Sequence, residues 1–344
     1  MKIGFFLSSL GGSPLQVGLE RGLVSLGHKV EYLIGQDIDP FDLVLFFNQS
    51  AHTCAYAYPD FPETINKPFA FIDNAEYGFY ARTPIRIMKF WNSFTPEAMG
   101  HDTKHLGQQL RLRDWLRGRS FPYFLREFFK CMRFPGCYHP IDYPLYLYSE
   151  NPVLPNRQEF LDRSLDLFVS WGESHHWRKN LSAELRLAPV RSEIHILEEN
   201  GFQRMPQDQY FARMAAAKCS VCFDGYGSSS FRINEVLARC LALVGPMAIH
   251  RAFPLVDGVH CIEYQIESDG NMGFLGSNIV QKLQDALDCP ERSFKIFEAG
   301  YYHNIAHYSE RATAEYLLDV IAKHDWTKPT PLDNEDWNPD PSVT

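Results

Sequence analysis

Short apolar runs alternate with helical patterns along the first part of the chain. Residues 3–8 read as a strand. Ser13-Pro14 then supplies a helix N-cap and a proline at the first helical position. Leu15, Leu19, Leu23 and Leu26 fall on one helical face, and Gly27 closes that helix. Further strands are predicted over 30–34, 43–47 and 69–72. Continuous apolar strands joined by helices predict a parallel sheet covered on both faces, so the chain opens as a Rossmann-like unit.

The alternation breaks down between Arg82 and Pro155. Aromatics and arginines interleave through 111–119 and 121–130, a pattern expected for an amphipathic helical insertion. Pro135, Pro140, Pro144, Pro152 and Pro155 then punctuate a linker. The pattern restarts with strands over 167–171, 194–197, 219–223 and 241–244. Helices are predicted over 176–187, 207–217, 231–239, 279–287, 291–305 and 310–322. The fold class is therefore α/β, with two Rossmann-like doubly wound domains facing across a cleft. The expected division is 1–155 for the first domain, with a basic and aromatic insertion around 82–139, and 156–324 for the second. A tail over 325–344, rich in Pro, Asp and Asn, is expected to be disordered.

The length of 344 residues agrees with two domains, and 45% hydrophobic against 22% charged residues is a globular balance. No apolar run reaches the ~18 residues of a membrane span. The apolar stretch behind Lys2 runs into Gly11, Gly12, Ser13 and Pro14, so it is read as a buried strand and turn, not a leader. Eight cysteines scattered over a long chain fit reduced thiols and a cytoplasmic location. Cys219 and Cys222 have metal-site spacing, but no second pair follows, and they lie in a run read as buried strand.

Charge changes the picture locally. The chain carries −9, yet residues 82–139 hold 11 Arg and Lys against 4 Asp and Glu, a net +7. A solvated helix face is the plain explanation. A lobe recognising an anionic acceptor (a glycan or other anionic polymer), a membrane-surface patch or a nucleic-acid acceptor site are the sharper ones.

The candidate chemistry lies at the turns. The first one, Ser8 to Ser13, lacks Gly-x-Gly-x-x-Gly and gives little support to a nicotinamide enzyme. The most informative loop is Gly225-Tyr226-Gly227-Ser228-Ser229-Ser230-Phe231-Arg232, which follows a strand and opens a helix. Its glycines allow close backbone approach, and its serines and amides suit an anion. Arg232 on the first turn offers a bidentate contact to a diphosphate. Glu235, at i+3 on the same face, suits the vicinal hydroxyls of a ribose.

The stretch from Cys222 to Val244 resembles the donor-nucleotide segment of exostosin-type glycosyltransferases and of related bacterial GT-B glycosyltransferases. The resemblance implies a GT-B fold with a nucleotide sugar, UDP- or GDP-linked, held by the second domain. It places Arg232 on the diphosphate and Glu235 on the ribose, with Arg178 and Lys179 as further diphosphate contacts. It covers roughly 165–322, and its middle carries the specific part. The sequence departs from the family where the other acid of a Glu-x7-Glu pair would fall at Gly227 and where Cys240 replaces a turn glycine. The retaining subgroup is thus unsupported, and stereochemistry stays open.

Such a transferase needs no cofactor besides its nucleotide-sugar donor, and Arg178, Lys179, Arg232 and the amides near Ser228–Ser230 would stabilise the leaving diphosphate without a metal. An inverting enzyme also needs a base. Asp73 and Glu76, just beyond the strand at 69–72, are the catalytic candidates, with His52 a weaker third. Two other functions are compatible with the sequence: a non-catalytic relative that binds nucleotide sugar or glycan, and a transferase with a nucleic-acid acceptor.

Overall fold

The structure, a computed structural model, describes residues 1–7, 14–33, 38–48, 66–73, 118–126, 128, 130, 132–134, 136–145, 152–172, 176–197, 201, 203–223, 231–247, 249–268, 274–331 and 338–339. β1 (Lys2–Leu7) shows why this is a doubly covered sheet. Phe5 meets Phe47 on one side, with ring centroids 4.9 Å apart, and Phe6 meets Phe46 on the other at 5.0 Å. All four rings are buried, so both faces of the strand are buried too.

α1 (Pro14–Ser25) follows and buries Leu15, Leu19 and Leu23, and Gly27 beyond it adopts φ +82°. The sheet continues with β2 (Lys29–Tyr32), β3 (Leu43–Asn48), β4 (Phe69–Asp73) and β5 (Tyr123–Leu125). β6 (Met132–Arg133) lies outside this sheet, and β7 (Tyr138–Pro140) completes it. The order is β2-β1-β3-β4-β5-β7, parallel throughout.

The second half begins with α2 (Arg157–Leu161) and builds its own sheet from β8 (Leu165–Trp171), β9 (Ser192–Ile196), β10 (Ala217–Cys222), β11 (Leu241–Val244) and β12 (Ile262–Glu263). These strands run parallel in the order β12-β11-β10-β8-β9. α3 (His176–Arg186), α4 (Gln207–Ala215) and α5 (Arg232–Leu237) connect them. β13 (Ile266–Ser268) and β14 (Phe274–Ser277) form an antiparallel pair. α6 (Ile279–Asp288), α7 (Pro290–Tyr308) and α8 (Glu310–Lys323) follow. Separate apolar clusters form around each sheet. No helix among the described residues is long and apolar enough to cross a membrane.

Three features differ from the sequence reading. The stretch around 121–130, expected as helical insertion, contributes β5 to the first sheet, where Phe121, Tyr123 and Phe124 are buried. A three-residue apolar strand carries no period, so its arginine neighbours dominate the pattern. Residues 82–117 lie outside the described residues. α8, assigned by sequence to the second domain, packs on the first: Ala314, Leu317 and Ile321 share a core cluster with Leu15, Leu19 and Leu23. The start of the expected disordered tail is held as well. Thr330 is buried, donates its main-chain N–H to Arg119 O at 2.8 Å and accepts from Phe121 N at 2.9 Å. β15 (Asn338–Pro339) pairs antiparallel with β6.

The α1–α8 contact depends on Gly22, because a Cβ there would lie 2.0 Å from the main-chain oxygen of Glu310. A backbone atom at a capped helix start does not yield as a side chain does. Gly22→Ala is therefore expected to destabilise the protein by about 1–3 kcal/mol, seen as a lower thermal midpoint with early loss of amide protection in α8. An unchanged midpoint would mean that the two helices do not approach this closely.

Candidate functional site

The order of the second sheet reverses between β8 and β10, and parallel α/β sheets bind ligands at the carboxyl ends of strands beside such a reversal. Arg178, on the first turns of α3, spans this point. Its Nη1 donates to Gly172 O just after β8 at 3.1 Å, and its Nη2 to Phe223 O just after β10 at 3.0 Å. The guanidinium lies 5.6 Å from the Trp171 ring centroid, and Trp177 stacks on Phe223 at 6.0 Å. Arg178, expected on a diphosphate, thus holds the two strand ends from which the site loop departs. Its neighbour Lys179 is exposed.

The loop residues Gly225, Tyr226, Gly227, Ser228, Ser229 and Ser230 lie outside the described residues, and so does Glu76. Phe231, at the start of α5, is 46% exposed. α5 is anchored by buried Ile233, Val236 and Leu237, which sets the face on which its polar residues stand.

Arg232 and Glu235 come together on one partner from α4. The Arg232 guanidinium lies 5.8 Å from the Tyr210 ring centroid, and the Tyr210 hydroxyl donates to Glu235 Oε2 at 3.1 Å. Glu235 is only 5% exposed. Burial pushes its carboxyl above the ordinary glutamate range, opposed by the Arg232 charge, the Tyr210 hydrogen bond and the Arg239 charge. Burial pushes the Tyr210 hydroxyl up as well. Arg239 donates to Glu235 O at 3.1 Å and lies 3.7 Å from the Phe211 ring centroid. A half-buried guanidinium and a buried carboxyl thus share one phenol, Arg232 against the Tyr210 ring and Glu235 on its hydroxyl. Tyr210 is a site residue that sequence reading did not single out. An aromatic on an ordinary amphipathic helix gives no signal until its helix is placed against α5.

On the first sheet, Asp73 closes β4 at its carboxyl end and is 2% exposed. The Tyr123 hydroxyl, from the adjacent β5, donates to its Oδ2 at 2.8 Å, and Arg126 N donates to Asp73 O at 3.1 Å. The strand-tip position matches the sequence expectation. Burial of the side chain beside Tyr123 was not legible there.

Cys219 and Cys222 are buried, free thiols of β10, as the strand reading expects, and burial raises both above the usual thiol range. Among the described residues no group of three His, Cys, Asp or Glu side chains is placed to hold a metal ion. His260, His303 and His307 do cluster, but as ring contacts: His260 stacks on His303 at 4.2 Å and His307 meets His303 edge-on at 4.8 Å, with burial lowering the His303 pKa to about 4.

No protein-family model and no curated protein sequence matches the chain. Solved structures do. A sucrose-phosphate synthase from Thermosynechococcus elongatus aligns at TM-score 0.55 with 10% identity, over 94% of this chain and 98% of that one. HepE from Anabaena in complex with UDP-glucose aligns at TM-score 0.48 and 10% identity, over 94% and 99%. T4 phage BGT in complex with UDP and Mn2+ aligns at 0.44 and 9%, over 93% and 99%. Two parallel, doubly wound sheets, a last helix that returns to the first domain and a full-length structural likeness at TM-score 0.55 together establish that this chain has the GT-B fold.

Proposed function

We propose that the protein is a glycosyltransferase that moves a sugar from a nucleoside-diphosphate donor, UDP- or GDP-linked, to an acceptor hydroxyl. The observation that carries this reading is the pairing of Arg232 with Glu235 on the opening turns of α5, both against Tyr210. A guanidinium serves the diphosphate and a carboxylate serves the ribose hydroxyls, so one helix end meets both parts of a nucleotide. Arg178 keeps the strand ends in place around that loop, and exposed Lys179 adds a mobile cation for the leaving group. Gly225, Tyr226, Gly227 and Phe231 shape the loop, while Ser228, Ser229 and Ser230 supply donors to the phosphates. Asp73 is proposed as the base that takes the acceptor proton if the reaction inverts, with Glu76 as the alternative. The +7 stretch over 82–139 favours an anionic acceptor.

Because the chain's own cations stabilise the departing diphosphate in this scheme, transfer is expected to persist in EDTA. The test of the reading itself is a thermal-shift screen with UDP, GDP, ADP, CMP and dTDP, their sugar conjugates, and NAD as control. A ligand at 100 times its Kd adds ~2.7 kcal/mol of stability. A selective rise with one nucleoside diphosphate is expected and names the sugar class to pursue. A folded protein that responds to none of them would overturn the proposal.

A further inference from the structure

Between Arg232 and Glu235 on α5 sits Asn234, 1% exposed and bonded in three directions. Its Nδ2 donates to the main-chain oxygen of Tyr143, in the segment that leaves the first sheet after β7. Its Oδ1 accepts from Arg251 Nη2 at 2.7 Å, and its main-chain oxygen accepts from Asn304 Nδ2 of α7 at 2.9 Å. Arg251, 5% exposed, places Nε 3.4 Å from Oδ1 of Asp142, and Asp142 Oδ2 accepts from Ala252 N at 3.3 Å. Asp142 and Tyr143 are chain neighbours, so the contacts close a ring: Asp142, Arg251, Asn234, Tyr143. The Arg251 guanidinium lies 3.9 Å from the centroid of Tyr308, the last residue of α7.

Adhesion alone does not account for this ring. A buried ion pair loses hydration on both partners, and apolar side chains of similar volume often hold a fold together as well or better. α5 already has Ile233, Val236 and Leu237 in the core. The hydrogen bonds of Asn234 add register instead, because each is made at one relative orientation of the groups it joins. This ring joins the exit of the first domain to the helix that carries Arg232 and Glu235. The exit segment is itself fixed to the first domain. Ile141 and Tyr143 belong to its core cluster, and Pro144 lies so close to Gly18 of α1 that a Cβ there would be 2.1 Å from Pro144 Cγ.

We infer that Asn234, Arg251 and Asp142 are positioning residues: a buried polar bridge that sets the angle of the donor helix α5 against the first domain. This rests on the donor-site reading of α5 given above. The bridge lets the second domain bind nucleotide unaided but is needed to present the bound sugar to groups on the first.

The double variant Asp142→Asn with Arg251→Met tests it, since it removes both buried charges and strands neither. Spin labels go on Val24→Cys in α1 and on native Cys289, both exposed positions, with Cys54, Cys131 and Cys137 changed to Ser in parent and variant alike. The expected result is a thermal midpoint near the parent's, nucleotide Kd within about twofold, a broadened inter-domain distance distribution and kcat for transfer lowered about tenfold. A parent-like distance distribution with parent-like kcat would overturn the bridge. Asn234→Leu, which leaves the Asp142–Arg251 pair in place, gives the same readouts should the double variant not fold. A parent that binds no nucleotide would refute the donor reading, while the distance distributions still judge the bridge. A parent that binds nucleotide, with no broadening in the variant, would refute the bridge alone.

Discussion

Asp73→Asn is expected to lower kcat for transfer by about 10²–10⁴-fold, the usual contribution of a positioned general base, with little change in thermal midpoint. Asparagine has nearly the same shape and keeps an oxygen to accept the Tyr123 hydroxyl now donated to Asp73 Oδ2 at 2.8 Å. What it loses is the capacity to take a proton from an acceptor hydroxyl. Were Asp73 merely the buried partner of Tyr123, the same change would leave kcat per folded molecule intact. Tyr123→Phe separates these roles further: it removes the hydroxyl that donates to Asp73 Oδ2 and keeps the carboxylate, so transfer is expected to persist. Loss of kcat in Glu76→Gln but not in Asp73→Asn would assign the base to Glu76.

The position of Asp73 was readable because its strand is a continuous apolar run ending in an acid, and both sheets are built from such runs. β3, β4, β8, β10 and β11 are fixed by their own composition, and α5 by the glycine- and serine-rich loop before it. β5 was missed because Phe121, Tyr123 and Phe124 stand among arginines, and the local sequence does not say which neighbours are covered. α8 was misplaced for a related reason. Its apolar face is equally suited to either sheet, and the choice is made by a tertiary fact, the groove that Gly22 leaves on α1. The site divides along the same line. Arg232 and Glu235 are three apart and legible as a pair. Tyr210 reaches Glu235 from 25 residues away in sequence, and Arg251 reaches the intervening Asn234 from 17, through tertiary packing that no spacing rule encodes.

Glu235→Gln is expected to weaken nucleoside-diphosphate binding by roughly tenfold or more, as the loss of a charge-assisted hydrogen bond implies, while making the free protein more stable at pH values above the ordinary glutamate range. The two effects have one cause. Burial raises the Glu235 pKa in the folded state, so the folded protein holds this proton more tightly than the unfolded chain does. As pH rises from the unfolded glutamate value, about 4.3, through the folded one, stability is lost. Above that window the ionised carboxylate is carried at full cost. Glutamine keeps an acceptor for the Tyr210 hydroxyl and carries no charge, so the variant lacks this slope. Its advantage in thermal midpoint is expected to grow with pH across the window and to vanish below it. A carboxylate kept dry at the expense of stability fits a group retained for a ligand, and the ligand's ribose supplies a direct check. Calorimetric titration should show the parent preferring a ribonucleotide over its 2′-deoxy analogue, and the variant losing that preference along with the affinity. Equal affinity of parent and variant would show that Glu235 braces Tyr210, Arg232 and Arg239 and touches no nucleotide.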